Sequence, residues 1–197
     1  PISSTGSMIR LFINLFVCIS SEATIIISQQ YGTKEYGKVG TTVHTSIAFA
    51  ALGGLSITAI GLALTPFGMR VMGIPEDILI PAAQYVRIYF SGMIASMVYN
   101  MGAGILRAVG DSRRPLIFLI ISSFVNIALD FLFVAVFRWG VAGAGIATVI
   151  SQLVSAMLVL LSLMRPHGAH KMMLPAIRFA GSVPKQTFKT GLPIGLQ

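Results

Sequence analysis

The stretch PLIFLIISSFVNIALDFLFVAVF, residues 115–137, decides the fold of this chain. It is apolar almost throughout and matches the length of about 20 residues that a helix needs to cross a bilayer. Four runs of similar character accompany it, at residues 9–27, 43–64, 88–106 and 141–164. Because strands of a membrane β-barrel alternate apolar and polar residues over about ten positions, continuous runs favour helices. The sequence therefore predicts an all-α polytopic membrane protein built as a helical bundle.

The overall composition agrees with a membrane protein, and the motifs of common enzyme classes are missing from the sequence. Hydrophobic residues make up 55% of the chain and charged residues 10%, whereas soluble domains carry roughly 25% charged residues. The single cysteine, Cys18, excludes an intrachain disulfide framework and cysteine-based metal sites. The sequence also lacks a Walker lysine loop, paired metal-ligand histidines and a nucleophile elbow. We therefore expect no catalytic residues.

The basic residues give an orientation, because the cytoplasmic loops of membrane proteins carry an excess of lysine and arginine. Five spans place alternate loops on opposite sides, and one side then holds Arg10, Arg70 and Arg138, while Arg87 lies one residue before the third span, where it can reach the outer headgroups. We expect the other side to face the cytoplasm, with the protein in the cell inner (plasma) membrane. The net charge of +8 is then explained without a nucleic-acid partner. The basic residues on the predicted cytoplasmic side are Lys34, Lys38, Arg107, Arg113, Arg114, Arg165, Lys171, Arg178, Lys185 and Lys189.

Turn-forming residues separate the runs and divide the chain. Residues 1–164 are expected to form five transmembrane helices, residues 165–190 a polar cytoplasmic linker, and residues 191–197 the start of another helix. Because the chain begins without methionine and stops inside an apolar segment, we expect an internal fragment of a longer protein. The turns between the predicted spans fall at residues 31–34, 66–68, 109–112 and 139–140.

Three polar residues inside the predicted spans suggest a cation site. A carboxylate at the centre of a span costs roughly 2.5 to 3.5 kcal/mol on insertion scales, so Asp130 needs a reason to be there. Asn126 precedes it by four residues and shares its helix face, and Thr148 lies at a matching depth on the next span. Their oxygens suit Na⁺, and an apolar setting also favours reversible protonation of Asp130. The alternative is a hydrogen-bonded clamp between two helices.

Other polar residues are candidates for a substrate cavity. Glu22 lies nearer the cytoplasmic boundary than Asp130, where it could bind a cationic substrate or pair with a basic residue. Interhelical hydrogen bonds explain the uncharged candidates equally well. The remaining candidates are Asn14, Tyr89, Ser96, Asn100 and Gln152.

Several motifs resemble the multidrug and toxic compound extrusion (MATE) family. The sequence NMGAGILRAVGDSRRP at residues 100–115 resembles the segment that joins helices four and five of that family. Similar motifs are ISQQYG at 27–32, VNIALD at 125–130, GVAGAGIAT at 140–148 and GLP at 191–193. They follow the family's order and spacing, and they cover almost the whole chain.

The resemblance implies a twelve-helix exporter of two lobes, in which this chain supplies helices two to six and the start of helix seven. Such a protein exports drugs or other organic, often cationic, compounds by alternating access, driven by Na⁺ or H⁺ and with no other cofactor. Asn126, Asp130 and Thr148 match three residues of the family's cation site. The fourth is an aspartate on a first helix, which would precede Pro1. The first helix and the second lobe would then be partners of this segment.

Two further functions remain open from the sequence. A lipid-linked oligosaccharide flippase of the same superfamily would share the helix pattern, but it should have a more basic cavity than Arg87 alone suggests. A structural membrane protein without transport activity would need no titratable stripe across its helices.

Overall fold

The computed structural model describes residues 23–71 and 76–164, and every regular element in them is helical. A short π-helical turn, Phe131–Val136, continues the fifth helix. The all-α class predicted from the sequence is confirmed for these residues. Most of the expected first span and all residues after 164 lie outside them. The helices are α1 (residues 23–32), α2 (Tyr36–Val71), α3 (Glu76–Ser91), α4 (Met93–Ala108), α5 (Arg113–Asp130) and α6 (Gly140–Met164).

Three helices in the described part of the chain are long and apolar enough to cross a membrane. They are Gly37–Phe67 within α2, Arg113–Val136, and Gly140–Met164. The apolar runs read from the sequence at 43–64, 115–137 and 141–164 fall on these three helices.

The helix α2 continues beyond the turn expected at residues 66–68 and ends at Val71. Pro66 lies inside it, and such prolines are tolerated in membrane helices when nearby groups satisfy the freed backbone. The hydroxyl of Thr65 donates a hydrogen bond to the carbonyl of Gly61, 2.6 Å away, next to the carbonyl that Pro66 cannot reach. The expected break at this proline was therefore wrong.

The third apolar run, 88–106, is divided between two helices of 16 residues each, α3 and α4. The interruption lies at Gly92, whose N–H donates to the carbonyl of Tyr89 at 3.1 Å. The neighbouring carbonyl of Ile88 accepts the Ser91 hydroxyl at 2.5 Å. The expectation of one uninterrupted helix over residues 88–106 was thus wrong, because the chain is interrupted at Gly92.

The core of the described residues lies where α1, α2, α4 and α6 meet. Glycines bring these helices into close contact: a Cβ atom at Gly54 would lie 2.6 Å from Ile94 Cα, and one at Gly102 would lie 2.8 Å from Val159 Cγ1. Small residues allow this approach in membrane helices, where packing rather than water exclusion drives association. The most deeply buried core side chains are Ile27, Val39, Val43, Met101, Ile105, Leu106, Val159 and Leu163.

Both short connections on the predicted cytoplasmic side use a left-handed residue after a helix. Gly110 has a φ of +90°, and the next residue, Asp111, donates its N–H to the Leu106 carbonyl at 2.9 Å. The turn after α1 has the same pattern, with Lys34 at a φ of 59°. This arrangement is a Schellman motif, which satisfies carbonyls at a helix end. The sharp reversals return the chain directly into α2 and α5.

Candidate functional site

The polar residues of α5 lie on the face that packs against the rest of the bundle. Phe124 and Ile127 on the opposite face are 69% and 64% exposed, whereas Asn126 and Asp130 are partly buried. The helix packs mainly against α6. Asp130 therefore does not face the lipid side of α5. The less exposed residues recur every three or four positions, at Pro115, Phe118, Ser122, Val125, Asn126, Leu129 and Asp130.

Two atoms of this polar stripe are buried without a hydrogen-bond partner among the described residues. They are Asp130 Oδ1 and Asn126 Nδ2. The ion pairs of the described residues lie elsewhere, between Lys38 and Glu35 and between Arg114 and Asp111. A buried polar group left unpaired costs about 1 to 3 kcal/mol, so it calls for an explanation. A group that is retained despite this cost is a reasonable candidate for binding a cation or a proton.

Thr148, the third predicted site residue, lies on α6 and keeps its hydroxyl proton within its own helix. Its Oγ1 donates to the Ala144 carbonyl at 2.9 Å. The next two serines do the same, since Ser151 donates to the carbonyl of Thr148 and Ser155 to that of Gln152, each at 2.8 Å. No hydrogen bond joins Thr148 to Asp130 or Asn126 in the described residues. The three side chains therefore do not form the hydrogen-bonded clamp that was the alternative to a cation site.

The three predicted site residues carry oxygen atoms of the kinds that small cations take as ligands. Asp130 offers a carboxylate, Asn126 an amide oxygen, and Thr148 the lone pairs of a hydroxyl whose proton points to Ala144. Hard cations take oxygen ligands of these three kinds. A proton on Asp130 would instead neutralise the carboxylate and turn it into a donor. Either ligand would relieve the unpaired state of Oδ1.

A π-helical turn begins directly after Asp130, a feature that no sequence signal indicated. In this wider turn the N–H of Phe137 donates to the Leu132 carbonyl at 2.9 Å, five residues back. The ring of Phe133 stacks on Trp139 with 5.0 Å between ring centroids, and both side chains pack against Gly143 of α6. The turn lies at the C-terminal end of the helix, where such wider turns commonly occur. The backbone beside the carboxylate is therefore irregular.

The candidate cavity residues are distributed differently from the cation-site residues. Asn14 and Glu22 lie outside the described residues. Tyr89 and Asn100 are exposed, and the amide of Asn100 donates to the Ser96 carbonyl at 2.9 Å. The hydrogen bond of Asn100 lies within α4 and does not connect it to Tyr89 of α3.

Gln152 is the exception, because it contacts the break between α3 and α4. A Cβ atom at Gly92 would lie only 2.5 Å from Gln152 Oε1. That oxygen is buried and has no hydrogen-bond partner among the described residues. Gln152 is thus brought beside the segment that contains Tyr89 and Ser96.

Sequence reasoning missed the residues of α2 that hold this break. The hydroxyl of Thr58 donates to the Phe90 carbonyl at 2.8 Å, across two helices. Gly54, Thr58 and Gly61 are spaced by four and three residues, which places them on one face of α2. That spacing of small residues was the available signal. It indicates close packing but does not reveal what packs there.

Comparisons with known proteins agree on one family. The family model MatE matches residues 2–132. The chain is 33% identical to the probable multidrug resistance protein YoeA of Bacillus subtilis, over 82% of this chain and 36% of that protein. It is 32% identical to the probable multidrug resistance protein YpnP of the same organism, over 99% of this chain and 44% of that one. The chain thus spans less than half the length of either relative.

A solved structure has the same arrangement of helices. A crystal structure of MATE in the bent conformation superposes with a TM-score of 0.84, over 96% of this chain and 43% of that chain. The two sequences are 24% identical, so the likeness establishes the fold.

Proposed function

The chain belongs to the MATE family of membrane transporters, and we propose that its full-length protein is a cation-coupled antiporter that exports drugs or other organic, often cationic, compounds. The observation that carries the coupling is Asp130 Oδ1 on the inward face of α5, which is buried and has no hydrogen-bond partner among the described residues. A carboxylate in this setting is stabilised by an incoming Na⁺ or H⁺. No other cofactor is part of the proposal.

Loading of Asp130 would change the packing between α5 and α6. An unloaded carboxylate is charged and needs polar surroundings, whereas a loaded one is neutral or shares its charge with the cation. Asn126 lies one turn earlier on the same helix and Thr148 on the facing helix, so both would serve as ligands or hydrogen-bond partners. A different preferred packing in each state is what couples an ion to alternating access.

The membrane supplies the energy for this exchange. One charge moving across 100 mV is worth about 2.3 kcal/mol. We place the protein in the plasma membrane, with the connections that carry Lys34 and Arg113 in the cytoplasm, where the leaflet is negatively charged. Inward flow of the cation would then drive outward movement of the compound.

The test is efflux by the full-length protein in proteoliposomes under an imposed Na⁺ or pH gradient. The variant Asp130→Asn should lose at least about tenfold of the gradient-driven rate, because the neutral amide has no charge to exchange. Asp111→Asn is the matched control, since it makes the same change in the connection before α5. It should export at the rate of the unmodified protein.

Each arm of that experiment has a decisive outcome. A response to the Na⁺ gradient alone identifies sodium as the coupling ion, and a response to the pH gradient alone identifies the proton. Gradient-driven efflux by Asp130→Asn at the normal rate would reject the proposed coupling. Efflux that ignores both gradients in the unmodified protein would reject it as well.

A further inference from the structure

The break at Gly92 is contacted from two sides, by α2 and by α6. We infer that it is a hinge of the transport cycle and that Gln152 on α6 is a positioning residue that responds to its bend. This inference rests on the proposed function, because a hinge needs two conformations to connect. It concerns residues that lie apart from the Asn126 and Asp130 stripe of α5.

The first contact is made by α2. The Gly54 backbone abuts Ile94 at the start of α4, and a side chain at Gly61 would overlap the ring of Phe90 at the end of α3. Between these two glycines, the Thr58 hydroxyl donates to the Phe90 carbonyl. The carbonyl that an uninterrupted helix would use for itself is therefore satisfied by a neighbouring helix. This bond lets the break persist in a medium that offers no water.

The second contact is made by α6. Gln152 Oε1 lies against Gly92, and Val149 Cγ2 would lie 3.0 Å from a Cβ atom at that position. About one turn before Val149, a Cβ atom at Gly145 would lie 3.1 Å from Ile88 Cγ2 of α3. The helix α6 therefore contacts both α3 and α4 as well as the break between them. If the angle between α3 and α4 changed, these two helices would shift against the surface of α6.

Gln152 makes the contact at the bend sensitive to conformation. Its Oε1 is a buried acceptor without a hydrogen-bond partner among the described residues. The first turn of any α-helix has N–H groups without partners in the helix, and the first turn of α4 begins at Met93, beside Gly92. A small change of bend would bring such a donor to Oε1. In the described conformation the Phe90 carbonyl accepts a hydrogen bond from Thr58, whereas Gln152 Oε1 has no donor among the described residues. In the alternative conformation, an N–H group of α4 would donate to Gln152 Oε1.

The hinge and the candidate cation site share one helix. Thr148 precedes Gln152 by four residues, so both side chains lie on nearly the same face of α6. A shift of α6 that follows loading at Asp130 would therefore displace Gln152 against Gly92. This shared helix is the physical connection between the two regions.

The test measures the bend directly in the full-length protein in lipid nanodiscs. Spin labels are attached at Gln84→Cys on α3 and Arg107→Cys on α4, two exposed positions on either side of the break, with other cysteines replaced. Pulsed electron spin resonance then gives the distribution of distances. We expect two populations whose ratio changes by at least about fivefold between loading and non-loading conditions, the lower end of typical coupling between sites.

The variant Gln152→Met tests the amide while keeping a side chain of similar length. It should reduce the change of ratio to less than about twofold, whereas Gln29→Met, an exposed glutamine on α1, should leave it unaltered. A second pair tests the contact itself. Gly92→Ala should favour one population, because its Cβ overlaps Gln152 Oε1, and adding Gln152→Ala should restore both.

Failure of the hinge and failure of the proposed function are distinguishable. A single, ion-insensitive distance in a protein whose efflux requires Asp130 would overturn the hinge. An unaltered response in Gln152→Met, or no rescue of Gly92→Ala by Gln152→Ala, would overturn the role of Gln152. Normal gradient-driven efflux by Asp130→Asn would overturn the proposed function whatever the distances show.

Discussion

The Thr58 hydroxyl on α2 donates to the Phe90 carbonyl on α3 across 2.8 Å. This carbonyl lies two residues before Gly92, where the helix is interrupted. A free carbonyl at that depth would have no water to bond, so the side chain of one helix completes the backbone bonding of another. The bond also fixes the height at which α2 and α3 meet.

Replacing Thr58 should reveal how much this hydrogen bond contributes to the unfolding free energy. Thr58→Val keeps the shape and removes the donor, so it should lower the unfolding free energy of the full-length protein by about 1 kcal/mol. Thr58→Ser keeps the hydroxyl and should lie closer to the unmodified protein. Thermal unfolding in detergent measures both, and equal losses in the two variants would contradict a role for the hydrogen bond.

A second prediction concerns the close approach of α2 and α4. Gly54→Ala should destabilise the protein by about 1 to 3 kcal/mol, because the new Cβ would meet backbone atoms of Ile94 that cannot move aside. Gly37→Ala is the control on the same helix, since nothing lies within 4 Å of its Cβ position. Chemical unfolding of the two variants compares them. A larger loss for Gly37→Ala would show that the contact at Ile94 is misjudged.

A third prediction concerns the turn after α4. Gly110→Ala should cost about 1 kcal/mol through backbone strain alone, because Gly110 has a φ of +90° and no atom lies within 4 Å of its Cβ position. Gly32→Ala, at the end of α1 and equally unobstructed, should be neutral or slightly stabilising. Melting temperatures of the two variants should therefore move in different directions, and a common shift would argue against the left-handed turn.

A fourth prediction separates a helix cap from an ion pair. The Asp111 carboxylate accepts the Arg114 N–H at 3.1 Å and lies 3.0 Å from its Nε. Asp111→Ala should cost about 1 kcal/mol by removing the cap. Asp111→Asn keeps an acceptor for the N–H and should cost much less, since partly exposed ion pairs contribute little.

The salt dependence of stability checks this division. If the ion pair dominated instead, Asp111→Asn would lose as much as Asp111→Ala, and high salt would remove the difference from the unmodified protein.

The sequence predicted those parts of the fold that depend on length and periodicity. The run at 115–137 is apolar and unbroken, so its helix could be predicted from the sequence alone. The four-residue spacing of Asn126 and Asp130 indicated a shared face, and the structure turns that face towards the bundle. The depth match with Thr148 stays a prediction, since that hydroxyl is bonded within its own helix.

Features that depend on neighbouring helices could not be predicted in this way. Gly92 breaks a helix while Pro66 does not, although proline is the stronger helix breaker in isolation. The difference arises because Thr58, Gly54 and Gln152 surround the break at Gly92. Likewise, the π-helical turn after Asp130 has no compositional signature, because phenylalanine, leucine and valine fill it as they would fill an α-helix.

The aromatic cluster of Phe133, Phe137 and Trp139 contains an intrinsic fluorescence probe. Trp139 is the single tryptophan of this chain, and its indole stacks on Phe133 within the π-helical turn and lies 5.5 Å from the ring of Phe137. Any rewinding of the turn would alter the stacking and polarity around the indole. Its fluorescence therefore offers a label-free test of the proposed ion binding at Asp130, nine residues earlier in the chain.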